Sequence, residues 1–212
     1  MAAKPVPLSD YVTELRHTVV VAMQNFDVWW VYKQRRDRSR FVDVLNTYPA
    51  FFQASIHAHF VALIMALYRL YETRTDTFNL TEVVNRLETE LALPSRKLAG
   101  IKRRVENARR LWIKVSILRN EAFGHRSNSR SVSDVFRKAG VTANQLRSLI
   151  QKTKQIVNLV SQELDGSSHA FNLRATSDTR RMLTDLEGKA VRSNKALKTD
   201  LRKRASPARS AA

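Results

Sequence analysis

The chain has 212 residues, 43% of them hydrophobic, and carries 37 Lys and Arg against 19 Asp and Glu, a formal charge of +18. That size supports a domain with its own core and no cross-links, and the absence of cysteine excludes disulfides, thiolate metal sites, iron–sulfur clusters and cysteine nucleophiles. The positive balance predicts attraction to a polyanion, with nucleic acid ahead of an acidic membrane surface.

The opening MAAKPVPLSDYV lacks the apolar core of a secretory signal, so a cytoplasmic setting is expected. Only five glycines and five prolines occur, and apolar residues recur at helical spacing almost throughout, which predicts an all-α bundle. The first helix is expected over about 9–33, with Val12, Leu15, Val19, Ala22, Phe26 and Trp30 on one face. The basic stretch KQRRDRSR forms its rim.

Residues 44–68 hold no formal charge, but polar residues and Pro49 interrupt them. The strictly apolar part is well short of the roughly 20 residues a bilayer requires, so a buried helix and no membrane contact are expected. Apolar residues surround this segment widely, which predicts the most buried helix of the chain. Asn79 with Glu82 reads as a capping box for a short helix, and Ser95 as the cap of the longest amphipathic one.

In that long helix Leu98, Ile101, Val105, Ala108, Trp112 and Val115 form a core stripe whose next positions are Arg119 and Ala122. A short helix near 131–139 stops at Gly140, and Thr142 with Gln145 caps a last long helix carrying Leu146, Leu149, Ile156, Val160 and Leu164. Gly166 ends the expected bundle, residues 8–165. The remaining 166–212 is a basic C-terminal tail, with eleven Lys or Arg against four Asp or Glu in 167–212. It is expected to be a marginal helix around 179–201 or a mobile arm, disordered at its SPARSAA end.

Arg119 interrupts an apolar seam, and an unpaired buried guanidinium is disfavoured by several kcal/mol (~3–5). It needs a carboxylate such as Glu121 or Glu14, a solvated cleft, or a partner chain. His125 follows six positions later, about 240° around a continuous helix after one full turn. A break at Gly124 or a second protomer would therefore be required to bring the two together. Histidine exchanges protons near neutral pH, and arginine donates to phosphate oxygens, a pairing suited to phosphodiester cleavage.

The stretch RNEAFGH, residues 119–125, resembles the signature of the HEPN superfamily, in which an Arg and a following polar residue precede a His; Arg119, Asn120 and His125 match. The branch it most resembles is the AbiU-type abortive-infection proteins, over roughly residues 8–165. The resemblance implies a HEPN-like helical bundle and a metal-independent endoribonuclease, without cofactor. Such proteins are commonly homodimers whose motifs face one another across a two-fold axis.

His125 is then the acid or base, Arg119 the stabiliser of the phosphate, and Asn120 a supporting residue. RNA is the implied substrate, in phage defence or as a toxin, with an antitoxin or regulatory protein as a further partner. Ser127 departs from the tyrosine often found there in members controlled by adenylylation, which puts that control in doubt. The alternative is a noncatalytic HEPN-like module that binds nucleic acid or protein.

Arg126 and, on the outer face of the motif helix, Lys102, Arg103, Arg109 and Arg110 are candidate contacts to the RNA backbone. Trp29 beside KQRRDRSR is a further stacking candidate, although packing is the preferred reading. His57 and His59 project about 200° apart on a helix and cannot share a metal from one face; core-edge packing fits them better. No phosphate loop, nucleophile elbow or paired-carboxylate signature occurs.

Overall fold

A computed structural model describes residues 6–124 and 131–189, and its regular structure is helical, with no strand among the described residues. The elements are α1 (Leu8–Lys33), α2 (Arg35–Arg40), α3 (Val42–Thr47), α4 (Pro49–Tyr71), α5 (Leu80–Glu90), α6 (Ser95–Ile117), α7 (Val132–Ala139) and α8 (Ala143–Asp165). A π-helical segment, Leu118–Gly124, continues α6. Residues 175–189 form a further helix, α9.

The main core lies where α1 packs along α4 and where α8 covers α1 and α6. The predicted stripe of α1 supplies Val12, Leu15, Val19, Ala22 and Phe26 to it, and α8 supplies Leu146, Leu149, Ile156 and Val160. At the open end of this layer Arg16 of α1 donates from Nε to the Ser161 hydroxyl, 3.1 Å, and from Nη2 to Ser167, 2.8 Å. These bonds hold the end of α8 in place.

Helix ends follow local chemistry, with two corrections. Thr142 and Gln145 form the reciprocal capping box expected of them, and Gly140 and Gly166 end α7 and α8 in the left-handed conformation that glycine tolerates. At α5 only half of the expected box exists. Asn79 accepts from the Glu82 N–H at 2.9 Å, but its own N–H donates to the Tyr11 hydroxyl at 2.7 Å, a buried partner that takes the place of the Glu82 carboxylate. Ser95 is not the cap of α6; Pro94 holds that position in an extended conformation and accepts from Lys97 and Leu98.

The charge-free segment is divided between the end of α3 and α4, and α4 is not the most buried helix. Seven of its 23 residues are buried, against ten in α1. Leu63, Ile64, Leu67 and Leu70 are enclosed in the core, whereas Phe51 is 61% exposed and Ala54 and Ala58 are also on the surface. By length and hydropathy α4 would suffice to cross a membrane, with a third of its most apolar window buried in the bundle.

A second, smaller cluster joins Val31, Tyr32, Phe41, Val44 and Phe52 to Leu183 of α9, which is 1% exposed. Beside it the buried Asp37 of α2 accepts from Arg180 Nε and Nη2, both at 2.9 Å. Before α9, Phe171 is buried in the main core, and Asn158 of α8 bonds both the carbonyl and the N–H of His169 at 3.0 Å. The rest of the expected tail, 190–212, lies outside the described residues.

Candidate functional site

The site grows from a change of helical register. Through α6 the stripe repeats at three and four residues, and Leu98, Ile101, Ala108 and Val115 are buried. From Leu118 the backbone widens to π geometry, in which each carbonyl pairs one residue further on and later side chains are displaced around the axis. Leu118, fully buried, takes the core position. Arg119 then stands half-buried at the edge of the seam rather than within it.

There the guanidinium of Arg119 lies over the ring of Tyr68 on α4, its Cζ 4.6 Å from the centroid. Such a contact favours the cation by about 0.5–2 kcal/mol. Nη1 donates to Asn120 Oδ1 at 2.9 Å. Nε is buried and has no hydrogen-bond partner among the described residues. Glu121, one of the carboxylates considered as a partner for Arg119, makes an ion pair with Lys138 of α7.

Gly124 is required by this geometry. A Cβ there would meet the Arg119 carbonyl oxygen at 2.9 Å and its Nη1 at 3.5 Å. The first separation is closer than a carbon can stand to a backbone oxygen.

An aromatic cluster fixes the end of the segment. Phe123 packs edge-on against His57 and Phe60 of α4 and Phe136 of α7, with ring centroids 6.1, 6.0 and 6.3 Å away. Tyr68, His57 and Phe60 were missed as neighbours of the motif, because 51 residues separate Tyr68 from Arg119 and periodicity carries no information across that distance. The one available signal was the run of aromatics and histidines on a charge-free helix.

The two histidines of α4 differ. His57 is exposed. His59 is half-buried and its Nδ1 lies 2.8 Å from Asn25 Oδ1. With its amide nitrogen turned to the Val21 carbonyl, Asn25 presents to the ring an oxygen that can only accept, so the ring Nδ1–H donates. Burial pushes the His59 pKa below its ordinary value.

The remaining sequence candidates are dispersed. Arg119 and Asn120 are in contact, while His125 and Arg126 lie outside the described residues. Lys102 pairs with Glu88 of α5 at 2.7 Å. Arg109 reaches back to the Tyr71 carbonyl, 3.2 Å, and lies over Trp112. Arg103 and Arg110 are exposed on α6. Trp29, partly buried, packs on Phe60 at 5.1 Å against the main core. Among the described residues no group of three His, Asp or Glu side chains is gathered to hold a metal ion.

An all-α bundle with an Arg–Asn pair at the end of a long helix is consistent with the HEPN class of helical domains. Within that class the chain belongs to the AbiU2 family, which it matches over residues 6–183. This places it among abortive-infection HEPN domains. No curated protein and no solved structure matches it.

Proposed function

We propose that the chain is a metal-independent endoribonuclease that cleaves cytoplasmic RNA in phage defence or as a toxin. The observation that carries this reading is the Nε of a half-buried Arg119, unsatisfied among the described residues. A buried charged donor without an acceptor is unfavourable in a resting protein, and a phosphate oxygen would satisfy it. Tyr68 holds the plane of the guanidinium from one side, and Asn120 holds Nη1.

In the reaction the ribose 2′-oxygen attacks phosphorus and the bond to the 5′-oxygen breaks, leaving a 2′,3′-cyclic phosphate and a 5′-hydroxyl. His125 takes the 2′-hydroxyl proton or gives one to the departing 5′-oxygen. Arg119 stabilises the charge that gathers on the phosphate oxygens.

The working form is a homodimer. In support, no Lys, Arg, Asp or Glu occurs between Asp43 and Arg69, and the exposed start of α4 is uncharged and mostly apolar, with Ala50, Phe51, Ala54 and Ala58. Two copies each carrying +18 repel one another least across such a face.

The test compares wild type with His125→Ala and Arg119→Ala on a defined oligoribonucleotide, with the product ends identified. Cyclic-phosphate product is expected, with each variant reduced by about 100- to 1,000-fold. Unchanged cleavage by His125→Ala removes the mechanism. Salt-sensitive binding that survives both substitutions, with no cyclic phosphate from any form, identifies a noncatalytic nucleic-acid-binding module.

A further inference from the structure

A cavity of about 350 Å³ opens at the junction of α1, α2, α3 and the start of α4. Tyr32 and Phe52, both nearly fully buried, form its floor. The exposed side chains at its walls are chemically selective. Lys33 and Arg38 supply positive charge, Asn46 and Gln53 supply amides, and among the described residues no carboxylate lines the space. A second cavity, of about 440 Å³, differs in carrying three carboxylates, Asp76, Glu82 and Glu90, beside Arg86.

We propose that the first cavity is a nucleotide-binding subsite, distinct from the Arg119 centre. Its volume lies at the small end of the ~300–1,000 Å³ range of ligand pockets, which suits one nucleotide. An apolar floor receives the face of a base. Amides beside it offer paired donor and acceptor to a base edge. Two cations at the rim match the phosphate. A fatty anion would use the floor and the cations but leave both amides without a role.

The position of the cavity relates it to the motif. Gln53, Ile56, His57 and Phe60 recur at three and four residues and therefore share one face of α4. Gln53 and Ile56 line the cavity, whereas His57 and Phe60 touch Phe123 of the motif segment. Along the helix axis Gln53 stands about 22 Å from Tyr68, the residue beneath Arg119. A single strand several nucleotides long would span both.

Two sources present this chemistry: one nucleotide of a longer RNA, or a free mononucleotide. The first rests on the ribonuclease reading and the second does not. The experiment uses an uncleavable 2′-O-methyl octaribonucleotide, followed by fluorescence anisotropy, and 5′-AMP and 5′-UMP, followed by calorimetry. An uncleavable probe reports binding whether or not the chain cuts RNA.

Gln53→Ala, which alters no charge, and Asn46→Trp, which fills the space, are compared with wild type, and thermal unfolding verifies that each folds. Arg36→Ala, an exposed arginine of α2 outside the cavity, measures the general effect of charge. Gln53→Ala is expected to weaken binding of the responsive probe about tenfold, and Asn46→Trp by more.

Loss confined to the octamer assigns the subsite to RNA. Loss extending to the mononucleotides assigns it to free nucleotide. Wild-type binding of every probe by both cavity variants overturns the proposal, as does no greater loss than Arg36→Ala produces. Competition by dodecyl phosphate at concentrations equal to those of the nucleotides also overturns it, because that anion has no base.

Discussion

Two arginines of the same helical rod, ten residues apart, face the same neighbour and are treated differently. In the regular part of α6, Arg109 lies over Trp112 and donates to the Tyr71 carbonyl. In the π-helical part, Arg119 lies over Tyr68 and donates to the side chain of the next residue, while its Nε has no acceptor among the described residues. Both ring contacts help a large cation pack at the edge of a core. Only the second leaves a charged donor unsatisfied. An aromatic neighbour is therefore a poor guide to which arginine is functional, and the unmet donor is a better one.

Substitutions should separate these two environments. The largest effect is expected for Arg119→Ala in the cleavage assay, a loss of about 100- to 1,000-fold with a melting temperature close to that of wild type. Arg119→Lys should restore little of it, because an ammonium lacks the planar fork of donors. A large loss of stability with unchanged cleavage would make Arg119 a packing residue like Arg109.

Leu118→Ala tests the register change itself. The side chain is fully buried, and its truncation should lower unfolding free energy by about 2–5 kcal/mol in denaturant titrations. A value under about 0.5 kcal/mol, typical of surface substitutions, would show that Leu118 does not hold the core position the π-helical register gives it. Gly124→Ala comes next. The added carbon must displace the Arg119 carbonyl from 2.9 Å, so cleavage should fall about tenfold or more through misplacement of Arg119. Stability should fall by about 1–3 kcal/mol.

Arg109→Ala should be milder, about 1 kcal/mol of stability with cleavage nearly unchanged. If RNA follows the outside of α6, Arg103→Ala and Arg110→Ala should weaken binding more than Arg109→Ala does, and should reduce its salt dependence.

The smallest effect concerns the histidines of α4. Burial lowers the pKa of His59 from 6.5, so the folded state binds a proton less readily than the unfolded chain. Its influence is absent well above pH 6.5. Stability should then decline as the pH falls below 6.5 toward the depressed folded value. His59→Gln should flatten that part of the pH–stability curve, whereas substitution of the exposed His57 should leave the His59-dependent decline in place. Parallel curves for wild type and His59→Gln would contradict the assignment.

Much of the fold was legible because helices advertise themselves locally. Apolar spacing located α1, α6 and α8, the Thr142–Gln145 box and Gly166 marked the two ends of α8, and Gly140 marked the end of α7. Local reading failed where a distant partner intervened. Tyr11 took the Asn79 N–H that the capping box would have given to Glu82. A widely apolar α4 was expected in the interior, but the bundle leaves seven of its first ten residues, 49–58, exposed. Leu183 and Phe171 reach core clusters across long stretches of chain, so composition alone read their surroundings as a marginal tail.

Arg119 shows where the division falls. From sequence came the fact that a permanent charge follows Val115 on an apolar stripe beside Asn120, and that Gly124 offers a place for the helix to change, because both depend only on local order. The tertiary structure decided that the register widens at Leu118, that Tyr68 covers the guanidinium, and that Lys138 engages Glu121. Those outcomes depend on which side chains of α4 and α7 stand opposite α6, a matter of packing between elements that no periodicity within one element contains.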